Sequence, residues 1–315
     1  MRHAVGWVST ISLLWAVAAW PAGASPAQGP LHRFFFSGDG RIDLVSEKNG
    51  SGFSGRYRTP GGEYDPGALE AIHKVFGAPY SPERPAVSLR LIEYLDYLED
   101  RHRPGARITI TSGYRSPEYN RSIRNKGALA AKASLHQYGM AADLVMDGVP
   151  SKTVWETVKA LSFGGGGYYH GRTVHIDVGP ARSWDETTSG VGTDISDDNK
   201  LIGIVSDFDV YRPGEEIRLR FIRMTAFPVG VSPVLFLERA EGGQEAPAAF
   251  EPAFGHSAAE RCIAFEDIEQ MSDIRWRLPQ GLGPGRYRVR ARFCDNPWEK
   301  MPGEVSTPVF EVAGP

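Results

Sequence analysis

Two histidines and two aspartates in the first half of this 315-residue chain stand at spacings that bring imidazole and carboxylate together. In Thr173-Val174-His175-Ile176-Asp177, extended backbone sends Val174, Ile176 and Val178 to a core and puts His175 and Asp177 on the opposite face. In SLHQYGMAAD, His136 enters from a loop that Gly139 allows to bend, and Ala141, Asp143 and Val145 share one face of the strand that follows, Met140 to Met146. A third segment, Ser112-Gly113-Tyr114-Arg115, ends another strand in a turn and delivers a guanidinium. Two histidines and a carboxylate held together with a fourth position open suit a catalytic zinc ion. Such an ion lowers the pKa of water to about 7 and polarises a carbonyl, which is what amide hydrolysis at neutral pH demands. The same residues also read as a structural His–Asp hydrogen bond, and the helical HExxH pattern that would separate the two readings is absent.

The surrounding pattern supplies elements to position these groups. Asp65 followed by Pro66 caps a helix over GALEAIHKVFG. Ala86 to Arg101 sets Val87, Leu91, Tyr94 and Leu98 on one stripe at helical spacing, with Arg and Glu opposite. RITITS alternates as a half-buried strand, Ser151 to Leu161 is a further amphipathic helix, and TVHIDVG is a third strand. The run Phe163-Gly164-Gly165-Gly166-Gly167-Tyr168 lacks the GK[ST] ending of a phosphate loop and reads as a flexible approach to the catalytic strand. Asn49-Gly50-Ser51 reads as a turn rather than a glycosylation site.

After Trp184 the pattern changes. Residues 185–200 are polar and read as a linker, and from 201 to 315 short alternating segments such as EEIRLRFIRM and GRYRVRARF are separated by Pro-Gly turns. This is expected to be an all-β, immunoglobulin-like sandwich. It carries the acidic excess, 14 Lys and Arg against 19 Asp and Glu from Ser196 onward, and both cysteines, Cys262 and Cys294, a candidate disulfide pair. The alternating arginines of GRYRVRARF read as a solvated face.

A net charge of −3 argues against nucleic acid as a partner, and two cysteines exclude a four-cysteine zinc site. The first 24 residues, with Arg2, an apolar run and Ala22-Gly23-Ala24, have the form of an export signal without a lipoprotein cysteine. The expected location is periplasmic or secreted, with no membrane span after signal removal.

SGYRSPEYN, SLHQYGMAAD, GGGGYY and VHIDVGPARSW, in that order between about Leu31 and Trp184, resemble the zinc peptidases of the lysostaphin, D-Ala-D-Ala carboxypeptidase and hedgehog type. Within that superfamily they are most similar to the YcbK-like, or MepK-like, murein endopeptidases. The resemblance implies an α+β zinc peptidase domain over 31–184, an antiparallel sheet with helices. It further implies one Zn2+ held by His136, Asp143 and His175, with peptidoglycan as substrate. It puts Arg115 at the substrate, where a guanidinium pairs with a stem-peptide carboxylate or stabilises an oxyanion. Tyr114, Ser134, Tyr168 and Tyr169 are the candidate substrate-binding residues. The general base is where this chain departs from many relatives, which place a Glu three or a His two positions before the last ligand; Arg172 and Thr173 stand there instead. Asp177, as a base or as an orienting residue, and His170 are the candidates that remain. The expectation is an exported zinc metallopeptidase cleaving peptide cross-links in murein. The alternatives are a D-alanyl-D-alanine carboxypeptidase and a non-catalytic zinc or cell-wall binding module that retains the fold.

Overall fold

The computed structural model describes residues 31–126, 130–188, 198–241, 246–255, 261–295 and 297–314. The export segment 1–24 and most of the stretch read as a linker lie outside the described residues. The first half runs β1 (Arg41–Ser46), β2 (Gly52–Arg56), α1 (Pro66–Phe76), α2 (Leu89–His102), β3 (Arg107–Ser112), α3 (Pro117–Asn125), β4 (Ala141–Met146), α4 (Ser151–Leu161), β5 (Gly165–Tyr168), β6 (Val174–Asp177) and β7 (Arg182–Asp185). The strands form one seven-stranded sheet in the order β2-β1-β3-β4-β6-β5-β7. It is mixed rather than antiparallel, because β1 pairs with β3 and β5 with β7 in parallel. The β1 to β3 crossover is made by β2 and both early helices, a connection long enough for parallel pairing.

Local chemistry explains the helices. Asp65 caps α1 by accepting from the Ala68 backbone N–H, Pro66 opens the first turn, and Gly77 closes the helix at φ 67°. α2 differs from the amphipathic expectation. Its Leu91, Ile92, Leu95 and Leu98 are buried, but so are Arg90, Glu93, Asp96 and Glu99. Each of these buried polar groups has a partner: Glu93 accepts from Arg58 and Tyr64, Asp96 from Tyr57 and the Gly40 amide, and Glu99 from the Ala106 amide. Arg90 pairs with Asp209 in the other half of the chain at 2.8 Å.

The glycine run is a strand. β5 lies between β6 and β7 with both faces in close contact. A Cβ at Gly165 would meet the Asp177 carboxylate, one at Gly167 the Trp184 indole, and one at Gly166 would press on Val158 at 3.0 Å. The glycines therefore allow close packing between neighbouring layers.

The second half holds β8 (Gly203–Ser206), β9 (Val210–Tyr211), β10 (Glu216–Ile222), β11 (Val229–Val231), β12 (Leu235–Arg239), β13 (Ala248–Phe250), β14 (Ala253–Phe254), β15 (Ile263–Phe265), β16 (Ile274–Arg277), β17 (Gly285–Arg292), β18 (Glu304–Ser306) and β19 (Phe310–Val312). They form sheets of four (β14-β16-β10-β8), two (β11-β15) and six strands (β13-β12-β17-β19-β9), with β18 added to β17. Among the described residues this half has no α-helix. Phe221, Phe265, Val289 and Phe310 belong to its own apolar cluster. Cys262 and Cys294 form a disulfide with Cα atoms 6.0 Å apart. The arginines of β17 are paired with acids, Arg290 bridging Glu238 and Glu304.

The halves are bound to each other. Val205 and Ile222 pack into the core of the first half, the Met224 amide donates to the Tyr138 hydroxyl at 3.0 Å, and the Arg33 carbonyl accepts from the Asp209 and Val210 amides.

Candidate metal centre

β4 and β6 are antiparallel neighbours whose register sets Asp143 opposite His175 and Ala141 opposite Asp177. Alternation along each strand then puts Asp143, His175 and Asp177 on one face of the sheet. His136 reaches the same place from a short 3-10 turn, Leu135–Tyr138. Ser134 starts that turn by accepting from the His136 amide, and Gly139 ends it at φ 60°, where a Cβ would collide with the Ala86 carbonyl. Gly139 is thus required twice, for its backbone angle and for the close approach of the segment entering α2.

His136, Asp143 and His175 are buried and each offers a ligand atom within 4.8 Å of the others. His136 Nδ1 donates to the Gly113 carbonyl at 2.7 Å, which leaves Nε2 as the lone-pair nitrogen facing Asp143 Oδ1 at 3.5 Å. His175 directs Nδ1 to Asp143 Oδ1 at 2.9 Å and Nε2 to Asp177 Oδ2 at 3.0 Å. Asp177 is fully enclosed and accepts as well from the Gly179 amide at 2.9 Å and from both terminal nitrogens of Arg182, at 2.9 and 2.6 Å. Asp143 accepts from Arg115 on Oδ2 at 3.0 Å and from the Tyr169 hydroxyl on Oδ1 at 3.1 Å.

The electrostatics follow. Burial works against the charge of Asp143, but the two imidazoles outweigh it and hold the carboxyl well below the usual carboxylate range. Burial likewise opposes ionisation of Asp177, and Arg182 with His175 overrides it downward. Burial and the Asp143 carboxylate push the Tyr169 phenol upward, so it remains a neutral donor. Two nitrogen donors and a carboxylate, each imidazole steadied through its other nitrogen by a carbonyl or a carboxylate, fit a zinc ion in both ligand chemistry and supporting hydrogen bonds.

The remaining sequence candidates divide. Arg115 and Tyr169 reach the cluster through Asp143. Ser134 caps the turn rather than facing a ligand. Tyr114 borders the cleft between the halves. Tyr168 pairs with Val174 and stacks on Trp155 of α4, ring centroids 5.4 Å apart, which puts it on the sheet face opposite His175. His170 directs Nε2 to Asp185 at 2.7 Å and is exposed, so Asp185 holds it rather than the metal ligands. Arg172 pairs with Glu47. Residue-type reasoning missed Arg182, Trp184 and the Gly113 carbonyl. Trp184 stands 5.7 Å from the His175 ring and 5.1 Å from Tyr169. Arg182 and Trp184 both lie within the quoted VHIDVGPARSW segment, which was the available signal.

Residues 40–184 match the Peptidase_M15_2 family, described as peptidoglycan L,D-endopeptidase MepK. The chain is 37% identical over 78 residues to peptidoglycan L,D-endopeptidase MepK of Escherichia coli strain K12, covering 24% of this chain and 43% of that protein. It is 39% identical over 80 residues to a probable peptidoglycan L,D-endopeptidase MepK of Haemophilus influenzae, covering 25% and 43%. The chain thus spans less than half the length of these curated relatives. The likeness to MepK-like murein endopeptidases expected from the motifs is borne out, and the β-rich half falls outside the matched residues.

Proposed function

We propose that this chain is an exported zinc metallopeptidase that hydrolyses amide bonds in peptidoglycan stem peptides, acting as a murein endopeptidase on peptide cross-links. The observation that carries the reading is the buried His136–Asp143–His175 cluster inside a MepK-like segment. His136 Nε2, Asp143 and His175 Nδ1 are the groups that would hold the ion. Zinc, when bound, supplies a Lewis acid for the scissile carbonyl and lowers the pKa of water to about 7. The chain's own residues orient this centre. Gly113 and Asp177 fix the two imidazoles, Arg115 anchors Asp143, and Tyr169 keeps a donor hydrogen beside the cluster. The four hydrogen bonds taken up by Asp177 suit an orienting residue better than a general base.

The same domain reading assigns 1–24 to a signal peptide, 31–184 to the peptidase, 185–200 to a linker and 201–315 to an immunoglobulin-like sandwich. A disulfide in the last part agrees with a periplasmic or secreted location. One second reading has its own support. Asp177 is saturated and His170 is held by Asp185, so neither of the two base candidates read from the sequence is free beside the cluster. That favours, as the rival, a zinc or cell-wall binding module that has lost catalysis.

Digestion of cross-linked muropeptides by the zinc-loaded protein, with and without chelator, tests these readings. Chelator-sensitive conversion of dimers to monomers is the expected outcome. Release of D-alanine alone assigns a carboxypeptidase, and binding without hydrolysis assigns the module.

A further inference from the structure

A cavity of about 700 Å3 lies between the MepK-like half and the β-rich half. Leu89, Tyr114 and Tyr138 wall it on one side, with Val205, Phe208 and Arg220 on the other. Tyr114 directly precedes Arg115, and Tyr138 follows His136 by two residues, so the loops that shape the candidate metal centre also shape this cleft.

Arg220 is the group in the cleft without a counter-ion. The other arginines that border it are paired: Arg90 with Asp209, Arg84 and Arg275 with Asp273, and Arg218 with Glu216. No carboxylate of the described residues pairs with Arg220, whose Cζ stands 5.9 Å from the Tyr138 ring centre. Burial, with Arg90 adding repulsion, pulls its pKa down to about 10, which leaves it charged at neutral pH. A largely buried cation with a tyrosine ring beside it and no carboxylate paired to it is an incomplete site, and an anion would satisfy it. The lining also includes Glu83 and Glu269. Carboxylates there disfavour a polyanion such as a polyphosphate and suit a ligand that carries an amine as well as a carboxylate. A volume of this size is that of a site for a small organic ligand or a few peptide residues.

We propose that this cleft is a subsite for a zwitterionic peptide segment, with the Arg220 guanidinium receiving a free carboxylate and Tyr114 and Tyr138 packing along its apolar atoms. That the segment is a peptidoglycan stem rests on the endopeptidase reading; the charge pattern of the cleft does not. The β-rich half then takes part in substrate recognition through β10.

The test is calorimetric binding of a synthetic stem tripeptide, and of the same peptide with its carboxylates converted to carboxamides, to the full zinc-loaded chain. A tripeptide carries no cross-link, so binding is read apart from endopeptidase turnover. The free acid is expected to bind about tenfold more tightly than the carboxamide, the scale of a charge-assisted hydrogen bond. Arg220→Gln is expected to erase that difference, and Arg220→Lys to restore part of it with an unchanged melting temperature. Equal affinity of acid and carboxamide for the unaltered protein overturns the proposal without recourse to any variant. So does an unchanged preference in folded Arg220→Gln. Carboxylate-dependent binding with no muropeptide cleavage would retain the cleft and remove the endopeptidase reading, whereas cleavage with no carboxylate preference would do the reverse.

Discussion

Asp177 lies two residues beyond His175 on the same strand face, and its role follows from what it accepts. Its oxygens are taken by His175, Gly179 and Arg182, so it fixes which His175 nitrogen faces Asp143. Asp177→Asn is expected to weaken zinc binding by about 10- to 100-fold, measured by competition with a chromophoric chelator. His175→Ala is expected to abolish stoichiometric zinc binding and muropeptide cleavage together; a variant that cleaves at the parental rate would remove the metal from the reaction. A second buried carboxylate answers a different question. Burial first, then Asp100 and Glu93 as neighbouring charges, raise the Asp96 pKa to about 7, against the opposing hydrogen bonds of Tyr57 and Gly40. An unfolded aspartate titrates near 4, so between about pH 4 and 7 the folded chain holds a proton that the unfolded chain has released. This group therefore stabilises the fold less as pH rises through that window. In urea unfolding from pH 4 to 8, Asp96→Asn is expected to flatten the decline relative to the parent. At this scale most of the centre was legible, because His136, Asp143, His175 and Asp177 announce themselves by type and by alternation. The Gly113 carbonyl was not, since a backbone acceptor leaves no mark in residue type. Tyr168 was misplaced because its face depends on knowing that the glycines before it form a strand.

Elements carried the clearest and the most misleading signals. Asp65-Pro66 marked the start of α1 and the capped helix is there. Of the stripe read for α2, Leu91, Tyr94 and Leu98 are buried on the helix and Val87 just before it, while Arg90, Glu93, Asp96 and Glu99, on or beside the face set opposite the stripe, are buried too, the first three against partners far away in sequence. Those partners include Arg58 and Asp209, and no periodicity within a helix can reveal them. β5 was missed for the opposite reason: a strand without side chains has no alternation to read. Its glycines make space for Asp177, Trp184 and Val158, and this yields a prediction at the same scale. Gly167→Ala pushes a methyl group into the Trp184 ring beside His175 and is expected to destabilise the protein by about 1–3 kcal/mol by overpacking. Thermal unfolding measures that loss, and zinc affinity should fall with it because the displaced indole borders the ligand ring.

Across the whole molecule the two halves have separate apolar clusters yet share polar and apolar contacts, among them Arg90–Asp209 and the packing of Val205 and Ile222. The cysteines were expected as a structural pair in the β-rich half, and their bond closes a separation of 32 residues. Cys294→Ser is expected to lower unfolding free energy by about 3 kcal/mol, visible as a lower denaturation midpoint under oxidising conditions and absent when parent and variant are compared in reductant. The short N-terminal stretch adds a constraint of timing. The Phe35 amide donates to Asp209, 174 residues further along, and the Arg33 carbonyl accepts from the amides of Asp209 and Val210. A chain made or delivered from its N-terminus presents residues 33–35 long before their partners exist. Those residues can take these partners only once residues 209 and 210 have been made. The start of the peptidase-like half is therefore held by the other half, so a chain stopped short of residue 209 would lack the bonds that fasten its own beginning.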